Sequence, residues 1–114
     1  MRIDDYSFGK IWISGKSYSA DLILYPDRIE EDWWRKRGHY LQVVDLSGRI
    51  GTHCDALIIG TGAHGAMQVA QEVETWLAKQ RIPWEKHSTG RACERYNTLV
   101  AEGKQVIAAL HLTC

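Results

Sequence analysis

The sequence predicts a three-layered α/β domain, an N-terminal β-hairpin followed by a βαβαβ run. Two observations carry this. Two nearly continuous apolar runs, Ala56–Ile59 and Gln105–Leu112, have the look of strands covered on both faces. Between them, two segments repeat apolar residues at three- and four-residue spacing, as amphipathic helices do. Helices packed on a sheet whose strands are buried give layers.

The elements follow in order. Lys10–Ile13 and Ser17–Tyr25 are rich in β formers and are separated by Ser14-Gly15-Lys16, which predicts the hairpin. Pro26-Asp27 ends its second strand. Glu30–Arg37 is a charged stretch interrupted by Trp33 and Trp34, and Gly38-His39 marks a break. Gln42–Ile50 fits either a strand or a short helix. After the Ala56–Ile59 strand come Gly60, Gly62 and Gly65, then Ala66, Val69, Ala70, Val73, Trp76 and Leu77, predicting a helix of about four turns that opens directly from the glycines. Pro83 ends that helix and Pro83–His87 suits a short strand. Thr89 is the expected N-cap of the next helix, with Ala92, Cys93, Tyr96, Leu99 and Val100 on one face and Gly103 at the C′ position. Gln105–Leu112 closes the domain as a central strand, parallel to the others of this half.

Composition bounds the function. The 114 residues suit one domain, spanning 1–114, and 14 basic residues balance 14 acidic ones. A general affinity for nucleic acid or an anionic membrane is therefore not favoured. The opening MRIDDYSFGK has no apolar signal region, and no apolar run approaches the roughly 20 residues of a membrane helix. Three widely spaced cysteines do not suggest a disulfide framework, so a reduced, cytoplasmic setting is expected.

The most specific chemical signal is ALIIGTGAHG, residues 56–65, whose glycines fall at GxGxxG spacing between an apparent strand and an apparent helix. Such a junction presents free backbone N–H groups to an anion. Glu85 lies at about the offset from the third glycine at which an acidic residue meets a ribose, but the chain has room for only one half of a dinucleotide fold. No cofactor is expected. The competing explanation is a tight turn that lets the helix pack closely on the strand. Between the two, Thr61 and His64 with the loop suit a small anion or polar ligand.

The run IIGTGAHGAM, the segment STGRACERYNTL, the EGK turn, the final AALHLTC and the element WRKRGH at Trp34–His39 together resemble a small family of domains of unknown function. Its members include the human adipogenesis-associated domain protein and, more distantly, a mitochondrial complex I assembly factor. The resemblance implies a compact three-layer single domain with a central mixed β-sheet, and roles in assembly or regulation. It also implies a cleft near Gly60, Thr61 and Gly62, with Thr89 and Asn97 at matching motif positions. It brings no established reaction.

Other constellations point less far. His53-Cys54 and His111-x-x-Cys114 hold a zinc-like donor set, but residues an odd number apart face opposite ways in extended chain, so no metal is expected. Cys93 falls on an apolar helical face, which leaves it an inert thiol instead of a nucleophile served by His87; Cys54 reads likewise as a small hydrophobe. His111, inside an apolar strand, is expected to be a core histidine bonded to backbone. Trp33, Trp34, Arg35 and His39 combine residue types enriched at interface hot spots, and they suit a surface for an acidic protein partner. A solvated turn with its tryptophans folded back is the plainer alternative. The chain is thus expected to be a binding or assembly module, with Gly60, Thr61, Gly62, His64, Thr89 and Asn97 as ligand-binding residues. The rival is an anion-binding protein, or an enzyme that uses the same loop; no catalytic residue is identified.

Overall fold

A computed structural model describes residues 1–51 and 53–114. In chain order the elements are β1 (Ile3–Ser7), β2 (Lys10–Ile13), β3 (Lys16–Tyr18), β4 (Leu22–Leu24), β5 (Ile29–Glu30), β6 (Tyr40–Leu41), α1 (Val43–Leu46), β7 (Ala56–Thr61), β8 (Gln68–Val69), α2 (Gln71–Lys79), β9 (Trp84–His87), α3 (Thr89–Ala101) and β10 (Val106–His111).

The centre is a mixed sheet of order β5-β4-β10-β7-β9. Every residue of β7 and β10 is buried, which is why both read as unbroken apolar runs. β10 runs parallel to β7, with Ala108 beside Ile58, and antiparallel to β4, with Ala109 beside Ile23. The sheet is therefore mixed because of β4, while β7, β9 and β10 are parallel as expected.

Alternate side chains of the sheet enter two cores. On one face Leu22, Leu24, Ile58, Ala108 and Leu110 meet Ala92, Cys93, Tyr96 and Leu99 of α3, together with Ile3, Ile11 and Ile13 of a small antiparallel sheet, β1-β2-β3. On the other, Ile23, Leu57, Ile59, Ile107 and Ala109 meet Val73 and Leu77 of α2, along with Trp33, Leu41, Leu46 and Met67. Three layers result, as the sequence predicts.

The N-terminal hairpin is present as β2-β3, and β1 extends it to a three-stranded meander. β1 carries the sequence IDDYS and buries only Ile3 fully, so it has almost no apolar signal. The turn at Ser14-Gly15 is where the sequence puts it, with φ of 49° and 82° at the two positions, the left-handed pair a tight hairpin needs. The single strand expected over Ser17–Tyr25 divides: β3 stays in the meander and β4 joins the central sheet. Within residues 42–50, Val43–Leu46 form the short helix α1, followed by a turn, and its Asp45 carboxylate accepts from the Gln42 N–H at 2.8 Å and the Lys36 N–H at 3.0 Å.

The larger correction concerns the segment after the glycines. No helix opens there; α2 begins at Gln71. Residues 66–70 are instead held extended by strand-like bonds: Met67 N–H to the Thr61 carbonyl, Gln68 N–H to that of His39, and Ala70 N–H to that of Leu41, at 2.9–3.0 Å. β8 pairs in parallel with β6. Ala66, assigned by periodicity to an apolar helical face, is exposed, and Met67 is buried.

α3 matches its prediction nearly to the residue, with Ser88 in place of Thr89 as the N-cap. At its end Gly103 N–H bonds the Val100 carbonyl and Lys104 N–H bonds that of Leu99, a Schellman closure.

Candidate functional site

The glycine loop is a closed structural joint. Gly62 N–H donates to Thr89 Oγ1 at 2.8 Å, Ala63 N–H to the Thr113 carbonyl at 2.6 Å, and Ala66 N–H to the Cys114 carbonyl at 3.0 Å. Gly65 N–H bonds back to the Gly62 carbonyl at 3.1 Å. The amides of residues 62, 63, 65 and 66, on which an anion cradle would depend, are therefore taken, and the helix dipole that was to reinforce them is absent. Gly60 and Gly62 answer to crowding. A Cβ on Gly62, at φ 105°, would stand 2.2 Å from the Cys114 backbone, and one on Gly60 would stand 2.9 Å from the Leu110 side chain and 3.0 Å from Thr89 Oγ1.

The remaining residues assigned to that loop are dispersed. Thr61 is buried and its hydroxyl donates to the His87 carbonyl at 3.0 Å. Thr89, fully buried, donates to the His111 carbonyl at 2.5 Å while accepting from Gly62, so it rivets β7, α3 and β10 together. Asn97 accepts from the Ile3 N–H at 3.0 Å and donates to the Ile3 carbonyl at 2.7 Å, continuing the edge of β1 like another strand. His64 is exposed, its ring 6.4 Å from that of Phe8. These side chains do not converge on one pocket.

A different set does converge. A cleft of about 280 Å³ opens where the loop 32–39 crosses the end of β10. Trp33, Trp34, Arg35 and His39 line it, joined by Asp21 and His111. The loop is fixed by the inner tryptophan: Trp33 is 2% exposed, its indole N–H donates to the Asp45 carbonyl at 3.1 Å, and its backbone N–H to the Asp21 carbonyl at 2.8 Å. Its neighbour Trp34 is left 80% exposed at the rim. The two tryptophans thus have opposite environments.

Arg35 runs over the Trp33 ring, its guanidinium carbon 4.8 Å from the centroid. Its Nε–H donates to the Gly38 carbonyl at 2.9 Å and its Nη2–H to Asp21 Oδ2 at 2.6 Å. The same carboxylate oxygen lies 2.8 Å from His111 Nδ1, and Oδ1 accepts the Leu112 N–H at 2.7 Å. Burial pushes the Asp21 carboxyl up, but the bonds from His111, Leu112 and Arg35 outweigh it and hold the group below the usual carboxylate range. An ionised Asp21 only accepts, so His111 Nδ1 carries the proton it shares with Oδ2. The 3.0 Å approach of Arg35 Nη2 to Nδ1 is then a meeting of two donors on one acceptor.

Two atoms of this cluster stay unanswered. Arg35 Nη1 and His111 Nε2 are buried without a hydrogen-bond partner, on side chains only 4% and 5% exposed. The exposed His39 ring stands edge-on to His111, centroids 5.3 Å apart. His111 is therefore a core histidine as expected, but its ring bonds a carboxylate and not backbone. Asp21 gave no sequence signal: it is a single acid before LILY, and its partners lie far along the chain.

Among the described residues no group of three or more His, Cys, Asp or Glu side chains is placed to hold a metal ion. The Cys93 thiol is buried on the α3 face, and burial, with a smaller contribution from Glu94, pushes it up to about 12, far from a reactive thiolate. No helix among them is long and apolar enough to cross a membrane.

The same fold occurs in solved structures. A conserved hypothetical protein of Pyrococcus horikoshii is 26% identical, with all of both chains covered and a TM-score of 0.84. A Bartonella henselae protein titled an outer membrane protein is 27% identical over 98% of this chain and 94% of its own, with a TM-score of 0.81. A Bordetella pertussis protein described as a Mth938-like domain shares the fold at 20% identity, a TM-score of 0.71, and coverage of 97% and 85%. The family described as "Protein of unknown function (DUF498/DUF598)" matches residues 3–111, and this chain belongs to it.

Proposed function

We propose that this chain is a binding module of the cytoplasm, used in assembly or regulation, that engages an acidic segment of a protein partner at the cleft formed by Trp33, Trp34, Arg35 and His39. The observation that carries this reading is the placement of an 80% exposed Trp34 at the rim of a cleft whose floor holds buried, unpaired polar atoms of Arg35 and His111. An exposed indole is among the residue types enriched at interface hot spots, and the buried Arg35 below it keeps one unpaired N–H. Lys36 and Arg37 lie exposed on the same loop, after exposed Glu31 and Asp32, and offer cations to an acidic partner. The motif resemblance that implies roles in assembly or regulation supports a binding role over turnover.

The test is reconstitution. A photo-crosslinker at position 34 identifies the partner in cells, and the purified pair is then titrated by calorimetry. Trp34→Ala is expected to weaken binding at least about tenfold without altering the unfolding curve. A purified partner that binds Trp34→Ala and the native chain equally would contradict the proposal.

A further inference from the structure

We infer that the floor of the cleft is a carboxyl-binding site that takes up its ligand together with one proton. The inference rests on the reading of this cleft as the binding surface and names the group it recognises.

Arg35 Nη1 and His111 Nε2 are the two unanswered atoms of the cleft. Buried polar atoms are almost always paired, so two on neighbouring side chains of one cleft point to a missing partner. Arg35 Nη1 is a donor under all conditions. His111 donates its Nδ1–H to Asp21 in a hydrogen bond, so in the neutral ring Nε2 holds a lone pair. One donor and one acceptor, on side chains that meet through Arg35 Nη2 and His111 Nδ1 at 3.0 Å, correspond in kind to the acceptor and the hydroxyl of a carboxyl group. One of its oxygens accepts from Nη1, and the other shares a proton with Nε2.

Charge selects the same ligand. In the free site Asp21 balances Arg35. A bare carboxylate would leave a buried excess of one negative charge, which is costly. A carboxylate that arrives with a proton adds none, whether the pair rests as acid and imidazole or as carboxylate and imidazolium. The titratable and charged groups lining the cleft around His111 are Asp21, just before β4, and Asp32, Arg35 and His39 from the loop. The Tyr6 hydroxyl from β1 reaches the adjoining Leu112 carbonyl at 2.7 Å. Neither unpaired atom meets solvent, so the exposed His39 ring, which follows Gly38 and packs edge-on to His111, must swing aside for entry.

The probes are phenylacetate, whose ring suits Trp34, and its uncharged isostere phenylacetamide, followed by amide and indole NMR shifts. Phenylacetate is expected to shift Gly38, His39, Leu112 and Thr113, with at least about tenfold higher affinity near pH 6 than near pH 8. Phenylacetamide, which offers the same acceptor and donor without the proton, binds with affinity unchanged over that range. The phenylacetate dependence survives His39→Gln and disappears in His111→Gln. No shift of these residues at millimolar phenylacetate near pH 6, or a shift with equal affinity at both pH values, overturns the inference; both comparisons use the unaltered chain and do not depend on a variant folding. A partner whose binding is lost in Trp34→Ala, with no response to phenylacetate, sinks the carboxyl site alone. Phenylacetate binding with full partner affinity in Trp34→Ala sinks the partner surface alone.

Discussion

Arg35 and Asp21 form an ion pair of 2.6 Å in which the arginine side chain is 4% exposed and the aspartate 16%. It ties the loop 32–39 to the start of β4 and so sets the shape of the cleft. Breaking a buried pair strands the surviving charge, so Asp21→Asn is expected to cost about 3–5 kcal/mol near neutral pH. Urea unfolding measures it, and a loss below about 1 kcal/mol would mean that water reaches the pair freely.

The same pair sets an acid limit. The Asp21 carboxyl is depressed in the folded state, so its contribution is present above the unfolded value of about 4 and is lost as pH falls through the lower folded one. Stability measured against pH should decline in the acid range from about pH 4 downward. The decline should be shallower in Asp21→Asn.

The paired tryptophans should separate in their effects. Trp33→Ala removes a side chain 2% exposed and the indole bond to Asp45, and is expected to cost about 3–5 kcal/mol. Trp34→Ala should lie within about 0.5 kcal/mol of the native chain. Thermal or urea unfolding of the two variants checks this, and equal losses would contradict the described loop.

How much of this was legible in the sequence depends on the range of the interactions involved. β7, β10 and α3 were readable because burial on one or both faces writes itself into consecutive residues. β1 was not, since IDDYS is held by pairing to β2 and by Asn97, with one buried side chain of its own. The glycine loop misled for a physical reason. Ala66, Val69 and Ala70 satisfy helical spacing, yet the amides at 68 and 70 find acceptors on the 39–41 segment, and that pairing wins. Trp33, Trp34, Arg35 and His39 could be grouped from their adjacency along the chain. Asp21 and His111 could not be joined to them, because their link spans 90 residues and only the fold makes it.

The joint at the glycines gives a further expectation. Thr89→Val leaves the Gly62 N–H and the His111 carbonyl buried and unpaired, at a cost of about 2–4 kcal/mol, while Thr89→Ser restores most of it. Gly62→Ala should be at least as damaging, since its Cβ meets backbone. Denaturant midpoints decide.

Cysteine reactivity offers an independent check of the cores. At about pH 8 a disulfide reagent should modify exposed Cys114 first and leave buried Cys93 untouched until the chain unfolds, since its thiol stays protonated. Fast labelling of Cys93 in the native state would contradict the packing of α3.

Recognition is proposed at the loop 32–39 and the end of β10. An amide chemical-shift map of the labelled chain with its purified partner tests it most directly. Perturbations centred on Trp34, Arg35, His39 and residues 111–113 are the predicted result. A map centred on Gly60–Gly65, with the 32–39 loop unmoved, would contradict it.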